Sequence, residues 1–318
     1  MNLQSIDYII ATARERSISR AAAALHITQQ TLSAHIAAVE RELGYPLFVR
    51  HVPLEITYAG EEFLRYAEAI QQQVNGLRRT FAEIAGEEKG LLKIGVTDNR
   101  DRIVLLPIVV RFQREHPKIE IKVIEAPNET LLQKLGKGEL DVCISNFATR
   151  QSGLHQIDLY RERVVFVVDQ ALFQQVYGDR ADEVIEAVQQ RSDYRALQEC
   201  PLLFGHEEDI SGRFSRRVIE TFECRPTIRV EAENMAFVLG LCAHGLGGCF
   251  CPEVIVRNTL TARQMEKMLV LTLGPTADYT IRIGWKNPWK VIDAFVEAAQ
   301  QEAKTFCGAE CCGFSQTL

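Results

Sequence analysis

At 318 residues the chain is longer than one compact domain usually needs, and two or three folding units are expected. An apolar fraction of 47% with 25% charged residues excludes disordered, collagen-like and disulfide-scaffold classes. The net charge of −6 excludes a protein that coats nucleic acid by bulk electrostatics, though not a small DNA-reading module on a larger acidic body. The longest apolar run, Met235 to Ala243, falls short of a membrane span. The opening MNLQSIDYII lacks a basic leader region, so a cytoplasmic chain with no signal peptide is expected. Its nine cysteines are then expected to be reduced thiols.

The most specific signal lies in the first sixty residues. Leu3, Ile6, Ile9, Ile10 and Ala13 form the stripe of an amphipathic helix. Ser17 and Ser19 offer caps to a short helix of small residues, Ala21, Ala22 and Leu25. Thr28 can cap a third helix with the buried stripe Leu32, Ile36, Val39 and Leu43, closed by Gly44. The few residues from Leu25 to Thr28 give helix-turn-helix spacing. In that geometry the first turns of the later helix enter the major groove and present Gln29, Gln30, Ser33, Ala34 and His35. Ala34 is small enough to meet a thymine methyl. The following YPLFVRHVPLEITYAG reads as a β-wing, with Arg50 placed for a phosphate.

The run Ser17-Ile18-Ser19-Arg20-Ala21-Ala22, then Leu25, Thr28-Gln29, Ser33, Ile36, Glu40, Leu43-Gly44, Leu47-Phe48, Arg50, Leu54, Thr57 and Gly60 resembles the LysR-type transcriptional regulators. The likeness covers most of the first sixty residues. It departs at Gln30, where that family usually has proline, and at Val52 and Pro53, where it has basic residues. The resemblance implies DNA contacts by Ser17, Arg20, Thr28, Gln29, Gln30, Thr31, Ser33, Ala34, His35 and Arg50. The bland alternative is a packing module that touches no DNA. Balanced charge in this segment leaves few phosphate contacts, so affinity has to come from dimerisation and base contacts.

Thr57 can cap a long helix. In it Phe63, Ile70, Leu77 and Ile84 recur every seven residues, with Ala67, Val74 and Phe81 four residues after the first three. This heptad stripe predicts a dimerisation helix, Phe63, Ile70, Val74, Leu77, Phe81 and Ile84 being the contact residues. GEEKG, Gly86 to Gly90, ends it.

From Leu91 strands and helices alternate. LLKIGV, a helix Arg102–His116, IEIKVIE, a helix Glu129–Leu135 and LDVCIS give a βαβαβ order and a parallel sheet. A second unit runs from VVFVV near Arg163 through LLF, a helix from Ser211, PTIRVE, a helix from Asn234 and GCFC. LVLTL, YTIRIGW and a helix Val291–Ala303 then return to the first. The resemblance implies two Rossmann-like lobes forming an effector domain akin to periplasmic binding proteins. It is weak between Gln174 and Gln198, where a helix-rich insertion is expected.

The predicted fold class is therefore α/β multidomain. A winged helix-turn-helix spans 1–60, a linker helix 57–89 and a two-lobed effector domain 90–304, with a tail 305–318. Lobe I comprises 90–162 and 268–304, lobe II 163–267. Polar groups at strand ends, beside helix N-termini, make the effector candidates Thr97, Asn99, Arg100, Asn128, Thr130, Ser145 and Asn146. The second lobe adds Phe204, Gly205, Arg213, Asn234 and Phe250. Arg100 and Arg213 point to a carboxylate-bearing effector.

Other chemistry is thinly represented. KGELD near Lys137 lacks the glycines of a P-loop, and Gly245-Leu246-Gly247-Gly248 follows a helix rather than a strand. Cys249 and Cys251, or Cys307, Cys311 and Cys312, could be imagined around zinc, but no CxxC pair supports it. Cys200 and Cys224 lie where peroxide-sensing relatives keep a redox pair, at a different spacing. No catalytic role, cofactor or metal is expected. The expected partners are double-stranded operator DNA, a small-molecule effector, a second or further copies as homodimer or homotetramer, and RNA polymerase, with no membrane. The competing reading is a cytosolic small-molecule-binding or enzymatic α/β protein without a DNA-binding role.

Overall fold

The computed structural model describes residues 1–49, 51, 53–84, 89–97, 100–147, 153–223 and 225–306, and they fall into two compact units, Met1–Lys89 and the chain from Gly90 onward. In the first unit α1 (Leu3–Glu15) starts where the Asn2 side chain accepts a hydrogen bond from the Ser5 amide at 2.9 Å. α2 (Ile18–Ala24) is capped by Ser17 and α3 (Gln29–Leu43) by Thr28, whose hydroxyl accepts the Thr31 amide at 3.1 Å. Gly44, at φ +78°, ends α3 in the left-handed region that suits glycine. Ile9, Ala21, Ala22, Leu32, Ile36 and Val39 bury together, and the alanines let the helices cross closely. Leu3 and Leu43 of the expected stripes are exposed instead.

The wing is a two-residue ladder of β1 (Phe48–Val49) and β2 (Glu55–Ile56). Glu40 holds it, its carboxylate accepting the Leu47 and Phe48 amides at 2.8 and 3.3 Å. α4 (Tyr58–Ile84) begins against the wing. A Cβ at Gly60 would lie 2.2 Å from the Leu47 carbonyl oxygen, so the approach requires glycine.

In the second unit the elements follow as β3 (Gly90–Val96), α5 (Leu106–Glu115), β4 (Ile119–Glu125), α6 (Asn128–Gly136), β5 (Val142–Ser145) and the fifteen-residue β6 (His155–Asp169). A π-helical turn, Asp101–Leu105, precedes α5. Next come α7 (Gln170–Tyr177), α8 (Ala181–Arg191), β7 (Leu202–Phe204), α9 (Ile210–Phe222), β8 (Ile228–Glu231), α10 (Met235–Cys242) and β9 (Cys249–Pro252). α11 (Glu253–Thr259), α12 (Ala262–Met265), β10 (Met268–Thr272), β11 (Asp278–Trp285) and α13 (Lys290–Phe306) complete it.

β4, β3 and β5 are parallel, as the βαβαβ order requires. β6 joins the two lobes. Its first half pairs with β11, its second with β9 and β10. There Val164, Phe166 and Val168 face one core while Val165 and Val167 face another, which explains the unbroken apolar run. β10 pairs with residues 165–169 and buries Leu271 and Met268 in the second lobe's cores. That corrects the expected boundary at 268, because the return to the first lobe comes one strand later, along β11. Hydrophobic alternation marks a strand but not its partner.

The stretch 174–198, expected as an insertion, is part of the second lobe's core. Tyr177, Val184, Val188 and Leu197 are buried there, and the Tyr177 hydroxyl accepts the Cys200 amide at 3.1 Å. Among the described residues no helix is long and apolar enough to cross a membrane.

Candidate DNA-reading helix and effector cleft

α3 buries Leu32, Ile36 and Val39, and this sets its opposite side outward. Gln29, Gln30, Thr31 and Ala34 are exposed, while Ser33 and His35 are half-buried. His35 meets Tyr8 edge-on with ring centroids 5.0 Å apart, so part of it packs within the module. The Ser19 hydroxyl donates to Gln29 Oε1 at 3.0 Å, which orients that side chain at the helix start. Ser17 and Thr28 spend their hydroxyls on caps, and Arg20 is exposed but folds back onto the Glu15 carbonyl and carboxylate. Arg50 lies outside the described residues.

Along α4, Ala67 is buried and Phe63 packs against the module's own core, so these two serve the protomer first. Ile70, Leu77, Phe81 and Ile84 stay exposed, Phe81 by 62% and Ile84 by 73%, and Val74 is half-buried. Beside them lies an almost wholly apolar groove of about 370 Å3, lined among others by Met1, Leu43, Tyr45, Phe63, Tyr66 and Ile70. Leu43, missing from the core, is therefore one of its walls.

In the second unit one cleft gathers residues of both lobes: Thr97, Arg100, Asn128 and Asn146 from the first, and Glu208, Asp209, Ile210, Ser211, Met235, Pro252 and Ile255 from beyond. Its free volume is about 20 Å3, room for roughly one water, so an organic ligand needs the walls to part. Asn128 links Ser145, whose hydroxyl donates to Asn128 Oδ1, to Asn146, whose Oδ1 accepts from Asn128 Nδ2. Of the strand-end candidates, Thr97, Asn128 and Asn146 line this cleft, and Ser145 is joined to it through Asn128.

Other candidates fall elsewhere. Phe204 and Phe250 belong to the second lobe's core, Phe250 stacking obliquely on Phe166 and Phe214. Asn234 is a cap, its side chain accepting the Phe237 amide at 3.0 Å. Thr130 is half-buried in α6 and does not line the cleft. Gly205 gives room to the cleft-lining Met235, whose Cε would be 2.5 Å from an added Cβ. Asn99 lies outside the described residues.

Both arginines offered for a carboxylate are corrected. Arg213 is exposed and does not line the cleft. Arg100 is already neutralised: its Nη2 donates to Glu162 Oε2 at 2.6 Å and to the Tyr279 hydroxyl at 3.1 Å, its Nη1 to Thr97 Oγ1 at 3.2 Å. The Tyr279 hydroxyl also donates to Glu162. Burial opposes the Arg100 charge, but Glu162 and then Tyr279 outweigh it and hold the guanidinium well above its ordinary range. Burial, then the Glu162 charge, push the Tyr279 phenol up in turn. Arg100 Nε and Glu162 Oε1 remain buried without a partner. Sequence reading missed Glu162 and Tyr279, because a single polar residue in a strand carries no sign of which side it faces. It missed Glu208 to Ser211 because α9 begins one residue earlier than Ser211 and brings its preceding loop to the cleft.

Cys143, Cys200, Cys242, Cys249 and Cys251 are buried free thiols. Burial pushes Cys200 up to about 12, and a thiol so protonated is a poor redox nucleophile. Cys224 and the tail cysteines lie outside the described residues. Among those described, no group of three or more side chains could hold a metal ion.

Residues 3–61 match the family model described as bacterial regulatory helix-turn-helix protein, lysR family, and residues 85–303 match the LysR substrate binding domain. The transcriptional regulator IlvY of Escherichia coli is 26% identical over 260 residues, 81% of this chain and 84% of that protein. Full-length OxyR of Pseudomonas aeruginosa, a variant form, superposes with a TM-score of 0.68 at 23% identity, over 96% of this chain and 95% of that one. Full-length CbnR in complex with its target DNA gives a TM-score of 0.61 at 20% identity over 95% and 99%. At these identities the two structures speak for the fold.

Proposed function

Because the chain belongs to the LysR family of bacterial regulators, we propose that α3 reads operator bases through Gln29, Gln30, Thr31, Ser33 and Ala34 while the interlobe cleft takes the effector. The protein is a DNA-binding transcriptional regulator with an effector-binding domain. The observation that carries the assignment to α3 is its polar, exposed first turn, standing on a fully buried stripe. This first turn is the part of such a helix that reaches base edges. CbnR, of like fold, is known bound to its target DNA. The protein acts in the cytoplasm, where operator and RNA polymerase, its further partner, are found.

Sequencing the genomic fragments that the protein retains should yield the operator. On that site Gln29→Ala or Ser33→Ala should cost about 1–3 kcal/mol, with little change on random DNA. Equal losses on both would show that these residues only position the phosphate backbone.

Thr97, Asn128, Asn146 and Ser211 supply the cleft's neutral hydrogen-bonding groups. An effector bound between the lobes shifts promoter activity only by its differential affinity for two arrangements of the protein, typically about 1–3 kcal/mol of coupling. Ser211→Ala and Thr97→Ala test the two walls separately. Either should weaken effector binding by calorimetry and blunt the response of operator affinity to effector. Loss of operator affinity in effector-free protein, with effector binding intact, would overturn the assignment.

The exposed residues of α4 and the adjoining groove have one natural occupant, a second copy of the helix. Both are apolar, they are continuous at Ile70, and two-fold operators require two reading heads. The family's oligomers thus rest here on Ile70, Val74, Leu77, Phe81 and Ile84.

A further inference from the structure

Resting on the reading of α3 as the helix that enters the major groove, we propose that Ser19 sets the base preference of Gln29. It holds the glutamine so that the amide nitrogen, and not the oxygen, faces the DNA, and the base selected is guanine rather than adenine.

A free glutamine is ambivalent toward base edges. Its terminal amide carries two donor hydrogens on Nε2 and an acceptor oxygen, and rotation about the last torsion presents either end. With both ends turned to the groove it pairs with N6 and N7 of adenine, the usual match for this side chain. Gln29 lacks that freedom. It is the first residue of α3, and its Oε1 accepts the Ser19 hydroxyl at 3.0 Å from the first turn of α2. Both residues are exposed, so the bond is made on the outer surface and not inside the module's core.

An amide tied back by its oxygen cannot bring that oxygen into the plane of a base, which leaves Nε2 as a pure donor. Guanine answers a pure donor best, since N7 and O6 stand side by side on its major-groove edge and both accept. Adenine keeps only N7, and its amino group meets another donor. Cytosine presents a donor alone and is rejected. The neighbouring hydroxyls have other work. Those of Thr28 and Thr31 bond each other at 2.8 Å within the cap of α3. Ser17 caps α2, accepting the Arg20 amide at 3.3 Å, which leaves the Ser19 hydroxyl for Gln29.

Selection of bound sequences from a randomised operator library, run on the full-length protein, reads this preference directly. Gln29→Ala should flatten one position in each half-site, and that position is where Gln29 lies. The parent should select guanine there. Ser19→Ala places a good helix former at an exposed helical site, so the module stays folded. It should lower the guanine-to-adenine ratio at that position about tenfold and leave the other positions unchanged. Ser19→Thr, which keeps the hydroxyl, should restore guanine; a merely structural loss would weaken every position together. Gln29→Glu, whose oxygens can only accept, should move the preference to cytosine. Adenine or cytosine in the parent, or a Ser19→Ala profile like the parent's, overturns the inference while Gln29 stays a base contact. If Gln29→Ala flattens no position, Gln29 leaves the base-reading set of α3, and the inference falls with that reading.

Discussion

Aspartate at both Leu77 and Phe81 is expected to convert the regulator into monomers that hold the operator about 10²–10⁴-fold more weakly than the parent. Each protomer carries one reading helix, and joining two makes the second binding event intramolecular. The separated heads lose that advantage without any change in the contacts α3 makes. Leu77 and Phe81 are 58% and 62% exposed in the single chain, so a charge there meets water and should leave the protomer folded. In a dimer the same charge would be buried against apolar side chains and unpaired. Phe63 and Ala67, by contrast, would be poor choices, since they pack into the protomer's own core. Sedimentation together with titration of operator and half-site DNA checks the result. Dimers persisting in the double variant would move the association to another surface.

Removing the acid of the buried pair, Glu162→Ala, is expected to destabilise the second unit by about 3–5 kcal/mol. The cost comes from the partner left behind. Arg100 would keep its charge almost wholly buried, with the Tyr279 hydroxyl and Thr97 as its remaining partners. Replacing both, Arg100→Met with Glu162→Leu, should recover most of the loss, because desolvation of the two ions offsets much of their attraction. Urea unfolding followed by tryptophan fluorescence isolates the effect, since Trp285 and Trp289, the chain's two tryptophans, both lie in the second unit. A loss under about 1 kcal/mol would mean that water reaches Arg100 once Glu162 is gone.

What the sequence determined by itself is local. Ser17, Thr28 and Gly44 punctuate the helices as their capping chemistry demands, and the stripe Leu32, Ile36, Val39 assigns the outward face of α3. The seven-residue repeat of α4 was legible for the same reason, because helical period depends only on neighbours a turn or two away. That Thr97, Asn128 and Asn146 stand together was legible from the rule that polar groups gather at the ends of parallel strands. Tertiary structure alone decided what depends on distant partners. It assigned β10 to the second lobe through its pairing with β6, and packed Phe204, Phe250 and the 174–198 helices into that lobe's core. It also joined Arg100 to Glu162, sixty-two residues away, and so cancelled the positive charge from which a carboxylate ligand had been expected. A side chain's charge is written in the sequence, but the field it leaves in a cleft is set by whichever partner the fold buries against it.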